Sequence, residues 1–109
     1  MKLPNADRAE VPEKKLRDYV LSRDHPIGRF KAQFFAGLGF SAGNWDRLRD
    51  RLLELAERED AERGPVTKYG QKYLVSGTLE GPSGAAEVVS VWIVLAGDDI
   101  PRFVTVYPR

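Results

Sequence analysis

Around Gly64-Pro65 the sequence changes its period, and that change constrains the fold more than any other feature. Before it, apolar residues recur at helical spacing. After it, they fall in runs rich in Val, Thr and Tyr, the texture of strands. A run of helices followed by a run of strands makes an α+β domain, with the helices packed on one face of an antiparallel sheet. The 109 residues leave room for a single domain, with a helical part over about 12–62 and a sheet part over about 66–108.

Three helices are expected. Pro12 suits a first helical turn, where its missing N–H is not needed, and Leu16, Tyr19 and Val20 give a helix over 12–22 an apolar stripe. Asp24-His25-Pro26 breaks the chain, because the residue before a proline is pushed out of the α region. Pro26 then opens a second helix over 26–37, ended by Gly37 and Gly39. At about 100° per residue this helix gathers Ile27, Phe30, Phe34, Phe35 and Leu38 into one apolar arc. Lys31 falls inside that arc, while His25, Arg29 and Gln33 lie opposite. Asn44 is placed to cap the third helix, whose buried stripe is Trp45, Leu48, Leu52 and Leu55 with Ala56 beside them. The charged residues from Asp46 to Arg63 read as its solvated face, with Glu54 and Arg58 as an i, i+4 pair.

The remainder reads as a three- or four-stranded antiparallel meander, with strands over 66–79, 85–95 and 100–107. Gly81-Pro82-Ser83-Gly84 and Gly97-Asp98-Asp99 are the turns between them. The run AAEVVSVWIVL is apolar at both parities, which makes it the central strand with both faces covered at least in part. Alternation along the last strand turns Val104 and Val106 toward the helices, and Phe103, Thr105 and Tyr107 away from them. On the first strand Tyr69, Gln71 and Tyr73 share a face, opposite Lys68 and Lys72.

Composition narrows the chemistry. With no cysteine, zinc ribbons, thiol catalysis and disulfide scaffolds are excluded, and a single histidine, His25, removes the usual nitrogen-rich metal sites. Neither a metal nor a cofactor is expected. The formal charge of +1 argues for no whole-molecule field, but the charge is uneven. Residues 1–35 carry eight basic and five acidic groups, whereas 36–64 carry five and seven. The basic excess therefore surrounds His25. No apolar run matches a secretory signal or a membrane span, so a cytoplasmic protein is expected.

Each candidate residue has a structural and a functional reading. Lys31 on an apolar face either snorkels to the edge or is aimed at an anion. His25 either starts a helix or serves as the one side chain suited to proton transfer near neutral pH. Thr105 and Tyr107 either reflect strand propensity or orient a ligand. Read functionally, His, Arg, Lys, Thr and Tyr without metal ligands suit cleavage of RNA by its own 2′-hydroxyl, which needs neither cofactor nor enzyme nucleophile. Lys72, Arg102 and Tyr69 join the set as substrate-binding candidates.

The segments KLPNA at the start, HPIGRFKA followed by Phe34-Phe35, YGQKY at 69–73, Val91-Trp92-Ile93 and PRFVTVYP at 101–108 together resemble a bacterial family of small proteins known only as a domain of unknown function. More distantly, helices before a small antiparallel sheet, with a His-Pro-x-Gly-x-x-Lys-Ala segment and Val-Thr-x-Tyr-Pro on the last strand, look like the barnase, EndoU, colicin and RelE group of metal-independent ribonucleases. Many of that group are toxins of bacterial toxin-antitoxin or polymorphic toxin systems. The resemblance implies that His25 is the acid or base, that Arg29 and Lys31 bind phosphate, and that Thr105 and Tyr107 are the sheet-side partners. It implies RNA as substrate and a small cognate antitoxin or immunity protein as partner. The rival expectation is a non-catalytic binding module, of antitoxin, immunity or adaptor type, using the same surface for a protein.

Overall fold

The structure, a computed structural model, describes residues 1–26 and 28–109. A short helix α1 (Glu13–Lys15) runs into a π-helical turn (Leu16–Val20), then come α2 (Gly28–Gly37), a 3-10 turn (Ala42–Asn44) and α3 (Trp45–Arg58). Four strands follow: β1 (Ala61–Thr67), β2 (Gly70–Gly81), β3 (Gly84–Leu95) and β4 (Pro101–Pro108). They form one sheet in the order β1-β2-β3-β4, with every neighbouring pair antiparallel. The expectation of helices followed by an antiparallel meander holds, with four strands.

The core grows from α3. Leu48, Leu52, Leu55 and Ala56 recur at the spacing of one helical face, and all four are buried. They meet the inward row of the sheet, which includes Val75, Val88, Trp92, Phe103 and Val106. Buried Ser90 sits among these side chains, its hydroxyl donating to the Val75 carbonyl at 2.8 Å and accepting from the Trp92 indole N–H at 2.9 Å. Both polar groups are thereby satisfied inside an apolar layer. On the opposite face of β3, Val89, Val91 and Ile93 are half-buried.

The third helix ends at Arg58, short of the expected reach to Arg63. Glu59 is already extended, and Ala61, whose side chain is buried, pairs with Val75 to begin β1. The charges of Glu62 and Arg63 thus belong to an edge strand. Gly64-Pro65 lies inside that strand rather than before it, at a register shift between Arg63 and Val66. Proline is tolerated there because an edge strand at a bulge needs no N–H from it. The segment read as one strand over 66–79 divides at Lys68-Tyr69, so Tyr69 occupies a turn and is exposed while Tyr73 is buried.

A second bulge corrects the last strand. Val91 pairs with Thr105 but Trp92 pairs with Phe103, so β4 carries one extra residue at Val104. An extra residue shifts the alternation by one. Phe103, not Val104, therefore joins Val106 in the core, and Val104 is only half-buried. Thr105 and Tyr107 keep their shared face, opposite Val106 in parity and paired with Val91 and Val89.

Two glycines fix where α2 ends. Gly39, at a φ of 94°, turns the chain out of the helix, and the Ser83 N–H donates to the Leu38 carbonyl at 2.9 Å. A side chain at Gly81 would meet that same carbonyl at 2.1 Å, so only glycine permits the β2–β3 hairpin to close on α2.

The apolar arc expected on α2 is narrower than the periodicity suggests. Ala32, Phe35 and Leu38 are buried and Phe34 is half-buried, but Phe30 is 64% exposed. Ile27, the remaining member of that arc, lies outside the described residues.

Candidate functional site

Lys31 projects from the first turns of α2 and meets β4 at the sheet edge. Its Nζ donates to Thr105 Oγ1 at 2.6 Å and to the Tyr19 hydroxyl at 3.4 Å, and lies 5.0 Å from the centre of the Tyr19 ring. The His25 ring packs edge-on against the same tyrosine, with centroids 4.9 Å apart. Four residues from four segments thus form one chain of contacts: His25, Tyr19, Lys31 and Thr105.

Local folding explains each placement. Tyr19 lies in the π-helical turn, where the Leu21 N–H bonds the Leu16 carbonyl at 2.7 Å. That wider turn still buries Leu16 and Val20 while leaving Tyr19 half-buried between core and surface. His25 precedes α2, and its carbonyl accepts from the Arg29 N–H at 3.0 Å. The β4 bulge displaces Thr105 on an edge strand, where it meets the lysine. Glu10 covers the neighbouring part of that edge, bonding the backbone of Pro101 and Phe103.

The groups gathered here are hydrogen-bond donors around one positive charge. An ammonium has three donors, of which Thr105 and Tyr19 take two. Among the described residues no other side chain or carbonyl accepts from the third, and the Thr105 and Tyr19 hydroxyls each keep a proton to donate. A cavity of about 380 Å³ lined by Pro12, Lys14, Lys15, Asp18, Tyr19 and His25 adjoins the cluster and adds two further lysines. Among the described residues no three His, Cys, Asp or Glu side chains come together in a metal-holding group.

The other candidates are distributed around this centre. The Arg29 guanidinium lies over the Phe30 ring, 5.0 Å from its centroid, and faces a separate groove with Arg23, Gln33 and Ala36. Lys72 and Arg102 flank Ile93 across β2, β3 and β4, and the next row of that face is Leu74, Val91 and Thr105. Tyr107 pairs with Val89 one row further and is partly exposed. Lys72, Arg102, Thr105 and Tyr107 therefore share one face of the sheet. Arg102 also pairs with Asp98 at 3.6 Å. Tyr69 stands apart in its turn, with Lys68 Nζ 5.2 Å from its ring centroid. Sequence reasoning missed Tyr19 as a site residue, because its spacing with Leu16 and Val20 assigns it wholly to the core. Its hydroxyl was the available signal, since a half-buried tyrosine usually finds a polar partner.

The order of helices and meander is shared with a solved structure. A chain of the contact-dependent growth inhibition toxin - immunity protein complex from Klebsiella pneumoniae 342 superposes with a TM-score of 0.68 at 20% identity, covering 91% of this chain and 98% of that one. At that identity the likeness defines a class by fold: an α+β domain of the architecture found in that complex. Residues 2–109 match the family described as Domain of unknown function (DUF6883), and the chain belongs to it. No curated protein matches the chain. Among the described residues no helix is long and apolar enough to cross a membrane.

Proposed function

We propose that this chain is a toxin-like, metal-independent endoribonuclease of the barnase, EndoU, colicin and RelE kind, acting in the cytoplasm and held in check by a cognate immunity protein or antitoxin. The single observation that carries this reading is the contact of Lys31 Nζ with Thr105 Oγ1, with Tyr19 and His25 alongside. A lysine that merely snorkels directs its ammonium to water. This one is held at the sheet edge by two hydroxyls, the placement a phosphate-binding cation needs. The fold shared with a chain of a toxin–immunity complex supports a place in a toxin system.

In the proposed reaction His25 takes the proton of the 2′-hydroxyl as O2′ bonds to phosphorus. The bond from phosphorus to O5′ breaks, and the Tyr19 hydroxyl protonates the departing O5′. The tyrosine oxygen left behind lies beside the Lys31 ammonium, and exchange with solvent returns both groups to their starting states. The products are a 2′,3′-cyclic phosphate and a 5′-hydroxyl. Lys31 and Thr105 donate to the phosphorane oxygens, where charge is greatest in the transition state. Arg29, Lys72, Arg102 and Tyr107 bind flanking phosphates and sugars, and Tyr69 contacts a more distant base.

The test is cleavage of a labelled RNA in the presence of EDTA by the wild type, His25→Ala and Tyr19→Phe. Cleavage with a cyclic-phosphate end, lost in His25→Ala and reduced in Tyr19→Phe, supports the assignment. A wild type that cleaves nothing, but whose binding of a co-encoded protein depends on these same residues, favours the binding-module reading.

A further inference from the structure

Phe30 stands out among the aromatic residues of the helical layer. Phe35 and Phe40 are buried and Phe34 is half-buried, whereas Phe30 is 64% exposed. It lies one helical turn before Phe34, which packs edge-on against Phe35 at 5.0 Å. The apolar ridge of α2 therefore continues out of the core and ends on an open ring. Its neighbours in sequence are Arg29 and Lys31, of which Arg29 reaches the ring. Arg29 places its guanidinium over one face, 5.0 Å from the centroid, and Lys31 is the residue fixed on Thr105.

We infer that Phe30 is a stacking platform for an unpaired nucleobase, one residue before Lys31 on α2. The inference rests on the ribonuclease reading and narrows it to single-stranded nucleic acid. With a guanidinium over one face and 64% of the residue exposed, the ring is suited to take a flat π-system. Every base offers such a face, so the contact is tolerant of sequence. A phosphate flanking a base stacked there meets the Arg29 guanidinium. A partner protein would also bury an exposed phenylalanine, but a guanidinium held over the ring, with Arg23 lining the groove that Arg29 faces, favours a ligand that alternates flat bases with negative charge. A duplex keeps its bases stacked within itself and offers the ring none.

The experiment uses two probes that resist cleavage for want of a 2′-hydroxyl: a short thymidine oligodeoxynucleotide and its abasic counterpart with the same phosphates. Affinities are measured by fluorescence anisotropy for the wild type, Phe30→Ala and Phe30→Trp, with RNA cleavage assayed in parallel. The wild type is expected to prefer the base-bearing probe by roughly 5- to 100-fold, the range of one base–aromatic stack. Phe30→Ala is expected to bind both probes at the abasic level, and Phe30→Trp to keep the preference. A preference that survives in Phe30→Ala, or a wild type that shows none, overturns the inference. Cleavage without any Phe30-dependent preference overturns stacking and leaves the ribonuclease reading standing. A Phe30-dependent preference without cleavage does the reverse. If Phe30→Ala changes neither affinity but abolishes binding of a co-encoded protein, the ring is a protein contact and the inference fails.

Discussion

Lys31 Nζ and Thr105 Oγ1, 74 residues apart in the chain, lie 2.6 Å from one another. The contact joins the second helix to the last strand and fixes a positive charge at the edge of the sheet. Lys31→Met removes that charge while keeping a side chain of similar length, so the fold is expected to persist with a thermal midpoint near that of the wild type. On the ribonuclease reading proposed above, RNA cleavage is expected to fall by about 100- to 1000-fold, the cost of losing one donor to the transition state. Lys31→Arg is not expected to restore it, since a planar fork cannot occupy the place of a compact ammonium between two hydroxyls. Single-turnover cleavage beside a melting curve separates the two effects, and a Lys31→Met protein that is folded and fully active disproves the role.

Leu52 is fully buried on the core face of α3. Leu52→Ala deletes apolar contacts and leaves a cavity, at a cost of about 2–5 kcal/mol. Urea unfolding followed by the fluorescence of Trp45 and Trp92 measures it. A loss below about half a kcal/mol would show that the surrounding side chains collapse into the space.

Ser90 supplies the partner of a buried indole N–H. Ser90→Ala leaves the Trp92 donor and the second lone pair of the Val75 carbonyl inside the core without this hydroxyl, which costs about 1–3 kcal/mol for the orphaned donor. Calorimetry of the variant should show the loss, accompanied by a shift of the Trp92 emission measured in a Trp45→Phe background. Unchanged stability would mean that another acceptor reaches the indole.

Asp98, in the turn between β3 and β4, has its pKa held below the ordinary 3.8, first by the N–H of Ile100 and then by that of Asp99, with the charges of Arg102 and Arg8 adding to the effect. A depressed folded-state pKa means that this carboxylate stabilises the fold fully above its unfolded-state value, and that the contribution fades as pH falls through the folded-state value. Asp98→Asn should therefore be less stable than the wild type at pH 7, and the difference should narrow below about pH 4. Urea midpoints at several pH values check this, and a difference independent of pH would assign the effect to turn geometry instead.

Much of this molecule is legible residue by residue. The α3 stripe of Leu48, Leu52 and Leu55 follows from helical period, and the two turns at Pro82 and Asp98 follow from local backbone preferences. The inward and outward rows of β3 follow from alternation, because strand geometry admits only two faces. His25, Lys31 and Thr105 are each identifiable as chemistry-bearing residues from their types and surroundings in the chain.

What brings them together is not local. Glu62 and Arg63 suit a helix or an edge strand equally well, and pairing of Ala61 with Val75 decides for the strand. Alternation along β4 assigns Val104 to the core until the bulge against Val91 and Trp92 shifts the row and buries Phe103. The π-helical turn that sets Tyr19 between His25 and Lys31, and the packing that leaves Phe30 in solvent, depend on neighbours distant in sequence. The sequence by itself determined the buried stripe of α3, the strands of the later meander and which side chains carry charge, since these depend on period and side-chain chemistry. Only the tertiary structure decided the register of β4 and the meeting of Lys31 with Thr105, because one inserted residue reverses a strand's faces and no local preference records across which partner the insertion falls.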